Sequence, residues 1–164
     1  MKSKRVAILG LLVALAMVLS YVESLVPVFI AVPGVKLGLT NLVVIIAFQV
    51  LTAKDAFFIN VVRIFLVAFT FGNFFSLMYS LAGGLLSYLV MYLLLRSKKF
   101  SIVGVSTAGG VAHNFGQILV AMFVLNTSQL IYYFPVLCIS GVAAGVVIGL
   151  LGGEIARRLP KVSV

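Results

Sequence analysis

The sequence predicts an all-α, polytopic membrane protein of six transmembrane helices. Three observations carry this. The 164 residues are 63% hydrophobic and only 9% charged, too little polar surface to coat a water-soluble globule. The apolar residues gather into runs of about 20, the length that crosses a hydrocarbon core of about 30 Å. The charged residues stand between these runs. A chain of this length accommodates about six spans joined by short loops, so residues 1–164 read as a single transmembrane domain.

Hydropathy and charge place the spans near 6–24, 37–53, 56–72, 74–95, 102–125 and 134–156. An even number of spans puts both termini on one side. Lys2, Lys4, Arg5, Lys54, Arg96, Lys98, Lys99, Arg157, Arg158 and Lys161, ten of the twelve basic residues, fall on that side. The positive-inside rule makes it cytoplasmic. The net charge of +9 is therefore a topology signal and not a nucleic-acid footprint, because no basic stripe or aromatic-interleaved patch exists. Residues 6–22 are too long for a signal-peptide core and no Ala-x-Ala site closes them, so this run is expected to be a retained first span.

The first span carries Ala7, Gly10, Ala14 and Met17 at three- and four-residue spacing, a smooth stripe that admits a close helix neighbour, either within this chain or from a partner. Glu23 lies near its outer end, where a solvated carboxylate costs little. Residues 24–40 form the longest outer connection and enclose an apolar Val28-Phe29-Ile30-Ala31-Val32 segment, expected to fold back as a lid. Its exit, Pro33-Gly34-Val35-Lys36-Leu37-Gly38-Leu39-Thr40-Asn41, brings a cation, two glycines and two polar side chains to a helix start. Unpaired N–H groups and the helix dipole suit such a start to an anion, and an ordinary Thr40 or Asn41 cap is the alternative.

The third span holds Asn60 and Arg63. The arginine lies about eight residues, or ~12 Å, from the inner end, close to the midplane. A charge at that depth faces the protein interior or a wet cavity. With three acidic residues in all, Glu23, Asp55 and Glu154, none is expected beside it. Arg63 is then either tied to backbone carbonyls, Asn60 or a side-chain amide, or completed by a bound anion. The fourth span presents a small-and-hydroxyl face, Ser76, Tyr79, Ser80, Gly83, Gly84 and Ser87, mainly for packing, with Tyr79 also a candidate pocket residue. The fifth carries His113, Asn114 and Gln117 where an inert span would be apolar. His113 and Gln117 share a helical face, and His113 lies within about 5 Å of the depth of Arg63. The sixth has Gly141, Gly145, Gly149 and Gly153 at four-residue intervals, a ribbon for a close helix crossing.

The sequence offers no basis for catalysis. There is no nucleotide-binding Gly-rich loop, no acidic pair for magnesium and diphosphate, and no histidine dyad. A single cysteine and a single histidine give no metal site, and no cofactor is expected.

The small-residue stripe, the apolar first outer loop, the Gly-Val-Lys-Leu-Gly-Leu-Thr-Asn entry of residues 34–41 and the His-Asn-Phe-Gly-Gln run of residues 113–117 together resemble the substrate-binding S component of energy-coupling factor vitamin transporters. More narrowly, the chain is similar to the Gx transporter family, often labelled heptaprenyl diphosphate synthase component I. The resemblance covers essentially the whole chain. It implies a bacterial cell-membrane protein that captures a small molecule outside and docks onto a transmembrane coupling protein driven by two cytoplasmic ATPases, with Gly10 and Ala14 at the docking face. On that expectation Lys36, Asn41, Asn60, Arg63, Tyr79, His113, Asn114 and Gln117 bind an anionic substrate, and Gly34 and Gly38 let the lid close. The alternatives are a membrane subunit assisting prenyl diphosphate or quinone metabolism, and a purely structural membrane protein.

Overall fold

The computed structural model describes residues 2–25 and 38–159, and among them it is helical, without strands. Six α-helices appear in the predicted order: α1 (Lys2–Leu25), α2 (Asn41–Val50), α3 (Ala53–Thr70), α4 (Phe74–Ser97), α5 (Ile102–Val124) and α6 (Phe134–Arg158), the last entered through a 3-10 helix at Ser128–Tyr133. Local chemistry sets several of their ends. Thr52 and Asp55 form a reciprocal capping box at the start of α3. Asn73 accepts from the Ser76 N–H and Ser101 from the Gly104 N–H at the starts of α4 and α5. Lys98 ends α4 in the left-handed conformation.

Four stretches are long and apolar enough to cross a bilayer: Ser3–Leu25, Phe74–Ser97, Ile102–Val124 and Ser128–Arg158. The other two depart from the expected spans. Helix α3 carries Lys54, Asp55 and Arg63 within its 18 residues. Helix α2 has ten residues where 37–53 was expected to span, and ten residues rise only ~15 Å.

That short helix is the centre of the molecule, because it touches all five others. Val43, Val44, Ile45, Ile46 and Ala47 are apolar on every side, as a helix enclosed by neighbours must be. One face packs with Leu12 and Ala16 of α1 and Ala56 and Ile59 of α3. The opposite face packs with Met91 of α4, Val105 of α5 and Ile148 of α6. The largest helix contacts are those of α5 with α6 and with α4. Three glycines of the predicted ribbon make the first of these. A β-carbon on Gly141 would stand 2.9 Å from the Gly110 carbonyl, one on Gly145 2.5 Å from the Thr107 Cα, and one on Gly149 2.7 Å from the Val103 Cα. Gly153 lies outside this crossing, with nothing nearer than 3.9 Å.

Helix α1 sits at the side, and among the described helices it packs against α3 and α2. Its packing face is Leu12, Ala16, Ser20 and Glu23, all buried. The stripe of Gly10 and Ala14 points the other way and is exposed, and nothing lies within 4 Å of where a Gly10 β-carbon would be. Among the described residues, nothing in this chain packs on Gly10 and Ala14. At its N-terminal end α1 is tied by Arg5 Nη2, which donates to Asp55 Oδ1 at 2.6 Å.

Candidate functional site

The glycine pair Gly83-Gly84 of α4 brings two polar helices together. On one side, a β-carbon on Gly83 would meet the His113 carbonyl oxygen at 2.8 Å and Gln117 Cγ at 2.9 Å, so α5 lies directly against this turn. On the other, a β-carbon on Gly84 would stand 3.4 Å from Asn60 Oδ1 and 3.5 Å from Arg63 Nη2. Asn60 Nδ2 donates to the Gly84 carbonyl at 3.0 Å, and Arg63 Nη2 donates to Asn60 Oδ1 at 3.0 Å. Within α5 the Gln117 amide nitrogen donates to His113 Nε2 at 3.0 Å. Asn60 and Arg63 thus lie on one side of the Gly83-Gly84 turn of α4, and His113 and Gln117 on the other.

The entry to α2 closes the outline. Gly38 has a φ of +81°, a left-handed conformation suited to glycine, and a β-carbon there would lie 3.2 Å from His113 Cδ2 and 3.1 Å from Asn41 Nδ2. The Gly38 and Leu39 N–H groups both donate to Glu23 Oε1 of α1, the latter at 3.2 Å. The Glu23 charge in turn acts on Arg63. Glu23, Gly38, His113, Gly83-Gly84, Asn60 and Arg63 therefore form a ring to which five segments contribute: α1, the α2 entry, α3, α4 and α5.

Two expectations need correction here. Glu23 is not a solvated carboxylate but only 2% exposed, and it supplies the acidic neighbour that Arg63 was expected to lack. Being on the same α1 face as Leu12, Ala16 and Ser20 was the signal that could have found it. The α2 start does attract an anion, as its dipole and open N–H groups favour, but the anion is the protein's own carboxylate. Of the two candidates for an ordinary cap, Thr40 makes no side-chain capping bond.

The structure brings Asn41, Asn60, Arg63, His113, Gln117 and Gly38 together, and separates two other candidates from them. Asn114 turns toward α6, where its Nδ2 donates to the Leu137 carbonyl at 2.7 Å and to Ser140 Oγ at 3.2 Å. It is a tie between helices. Tyr79 is buried in an apolar cluster with Ile118, Ala121 and Leu137. Lys36 and Gly34 lie outside the described residues.

Arg63 and Asn41 are 3% and 2% exposed, yet Arg63 Nε and Asn41 Nδ2 have no hydrogen-bond partner among the described residues. Buried donors without acceptors are costly, about 1–3 kcal/mol each. Both are donors, so what they lack is an acceptor. Among the described residues no group of three His, Cys, Asp or Glu side chains could hold a metal ion.

Neither a curated protein nor a solved structure matches the chain. The family model described as heptaprenyl diphosphate synthase component I matches residues 12–155, and the chain belongs to that family.

Proposed function

We propose that this protein is the membrane-embedded substrate-binding component of an importer of the energy-coupling factor type. In this reading it lies in the bacterial cell membrane as one six-helix domain with both termini cytoplasmic. It takes a small molecule from outside into the ring of α1, α2, α3, α4 and α5, and hands it on through a coupling protein powered by two ATPases. It is not itself an enzyme. The observation that carries the reading is the pair of buried donors without acceptors, Arg63 Nε and Asn41 Nδ2, on a ring that five segments build. A merely structural arginine would have its donors satisfied by the protein. A second support is the Gly10 and Ala14 stripe, which the described helices leave exposed.

The family's description favours a second reading, a membrane subunit that assists prenyl diphosphate metabolism. Against a catalytic part in it, the acidic residues are already engaged. Glu23 accepts from the α2 entry, Asp55 from Arg5 and Thr52, and Glu154 from Arg157 and Arg158. No acidic pair remains to hold magnesium and diphosphate. Gentle purification of the tagged protein from its native membrane separates the two readings. A coupling protein and ATPases in the eluate support transport, and a soluble prenyl synthase in their place refutes it.

A further inference from the structure

We propose that Glu23 sets the charge of the ligand this site accepts: its carboxylate fills the anion position at the start of α2, leaving Arg63 Nε and Asn41 Nδ2 to hold the acceptor groups of a small molecule with no net charge. This rests on the substrate-binding reading above.

Gly38 and Leu39 present N–H groups at the start of α2, and helix polarity adds a positive potential, so the place suits a negative charge. Glu23 Oε1 already accepts both N–H groups. Glu23 and Arg63 are the one anion and the one cation of the ring among the described residues. A ligand carrying a full negative charge would enter beside Glu23 and meet repulsion as well as attraction. A diphosphate, with several charges, would meet the most. What the ring lacks is different: two buried N–H donors need acceptors, which carbonyl oxygens or ring nitrogens of an uncharged or zwitterionic molecule supply without adding net charge. Glu23 is thus a specificity-determining residue, and a ligand that would bring its own anion is excluded because the chain has brought one already.

The test uses the full chain in nanodiscs of uncharged lipid and follows thermal unfolding while sodium acetate or inorganic diphosphate is titrated, for the wild type, Glu23→Ala and Glu23→Gln. Glu23→Ala opens a space that acetate can fill. Glu23→Gln keeps the size and an acceptor for Gly38 and Leu39 but removes the charge, so acetate beside Arg63 Nε then meets attraction without repulsion, and this variant serves if the alanine variant does not fold. The wild type is expected to be unaffected by either anion, whereas both variants are stabilised by acetate at concentrations lower by about tenfold or more, the scale for restoring a partner to a buried charge. Equal stabilisation of wild type and variants would overturn the proposal, because the native site would then accept anions beside Glu23. No stabilisation of either variant would also overturn it, because Glu23 would not be occupying an anion position. The natural substrate takes no part in these titrations. Acetate binding confined to the variants, together with a wild type that holds no small molecule, would leave this inference standing and sink the transport reading.

Discussion

Gly83 and Gly84 are adjacent in sequence, but the structure predicts opposite outcomes for replacing them with alanine. At Gly83 the new β-carbon would stand 2.8 Å from a backbone atom, the His113 carbonyl oxygen, where ordinary contact begins at 3.4 Å. Backbone cannot rotate away, so α4 and α5 must part by about half an ångström, and such overpacking costs roughly 1–3 kcal/mol. Alanine's better helix propensity returns about 0.8–1 kcal/mol. The net expectation for Gly83→Ala is a loss of about 1–2 kcal/mol. At Gly84 the nearest atom, at 2.9 Å, is the Ile64 Cδ1 methyl, the mobile end of a side chain, and the next is at 3.4 Å. A methyl that can change rotamer costs about 0.5–1.5 kcal/mol at most, which the propensity gain cancels. Gly84→Ala is therefore expected to be neutral within about 0.5 kcal/mol. Reversible unfolding in mixed micelles, followed by tryptophan-free far-UV circular dichroism, measures both. Equal destabilisation by the two substitutions, or a neutral Gly83→Ala, would refute the placement of His113 and Gln117 against this turn.

Other substitutions separate the remaining roles. Asn114→Ala should lower stability by about 0.6–1.7 kcal/mol, the range for an interhelical hydrogen bond in a membrane, while leaving small-molecule retention unchanged; loss of retention at full stability would return Asn114 to the site. Gly10→Trp should leave unfolding unaltered, because the position faces open space, yet abolish co-purification with a coupling protein; a variant that still co-purifies would count against docking through α1. Asp55 is raised by burial, but hydrogen bonds from Arg5 and Thr52 and the Arg5 charge outweigh this and hold it below the ordinary carboxylate range. A depressed folded value means that the stabilisation is complete above the ordinary carboxylate pKa and is lost as pH falls through the lower folded value. The wild type should therefore exceed Asp55→Asn in stability by about 0.5–1 kcal/mol at neutral pH, with the gap closing only in acid; a gap independent of pH would show that the ion pair contributes nothing.

How much of this was legible beforehand follows from what each feature depends on. The helices were readable because apolar runs and capping residues such as Thr52, Asn73 and Ser101 are local. The α5–α6 crossing was readable at Gly141, Gly145 and Gly149 because a four-residue glycine repeat permits little else. The centrality of α2 was not, since a continuous apolar run such as Val43–Ala47 reads equally as a lipid-facing span or an enclosed helix. The burial of Glu23 is legible only from the face it shares with Leu12, Ala16 and Ser20, because nearness to a helix end alone does not tell whether a carboxylate meets water or the bundle. Asn114, one residue past His113, is rotated by about 100° around the helix, and only the arrangement of α4 and α6 on either side of α5 decides which of the two enters the ring.

The central claim is that Arg63 holds a bound molecule and is not simply a tie to Asn60. Native mass spectrometry of the full chain released from nanodiscs tests it most directly, by comparing wild type with Arg63→Gln, which can still reach Asn60. The account predicts a small-molecule adduct on the wild type that is absent from a folded Arg63→Gln. The same adduct at the same occupancy on both would contradict it.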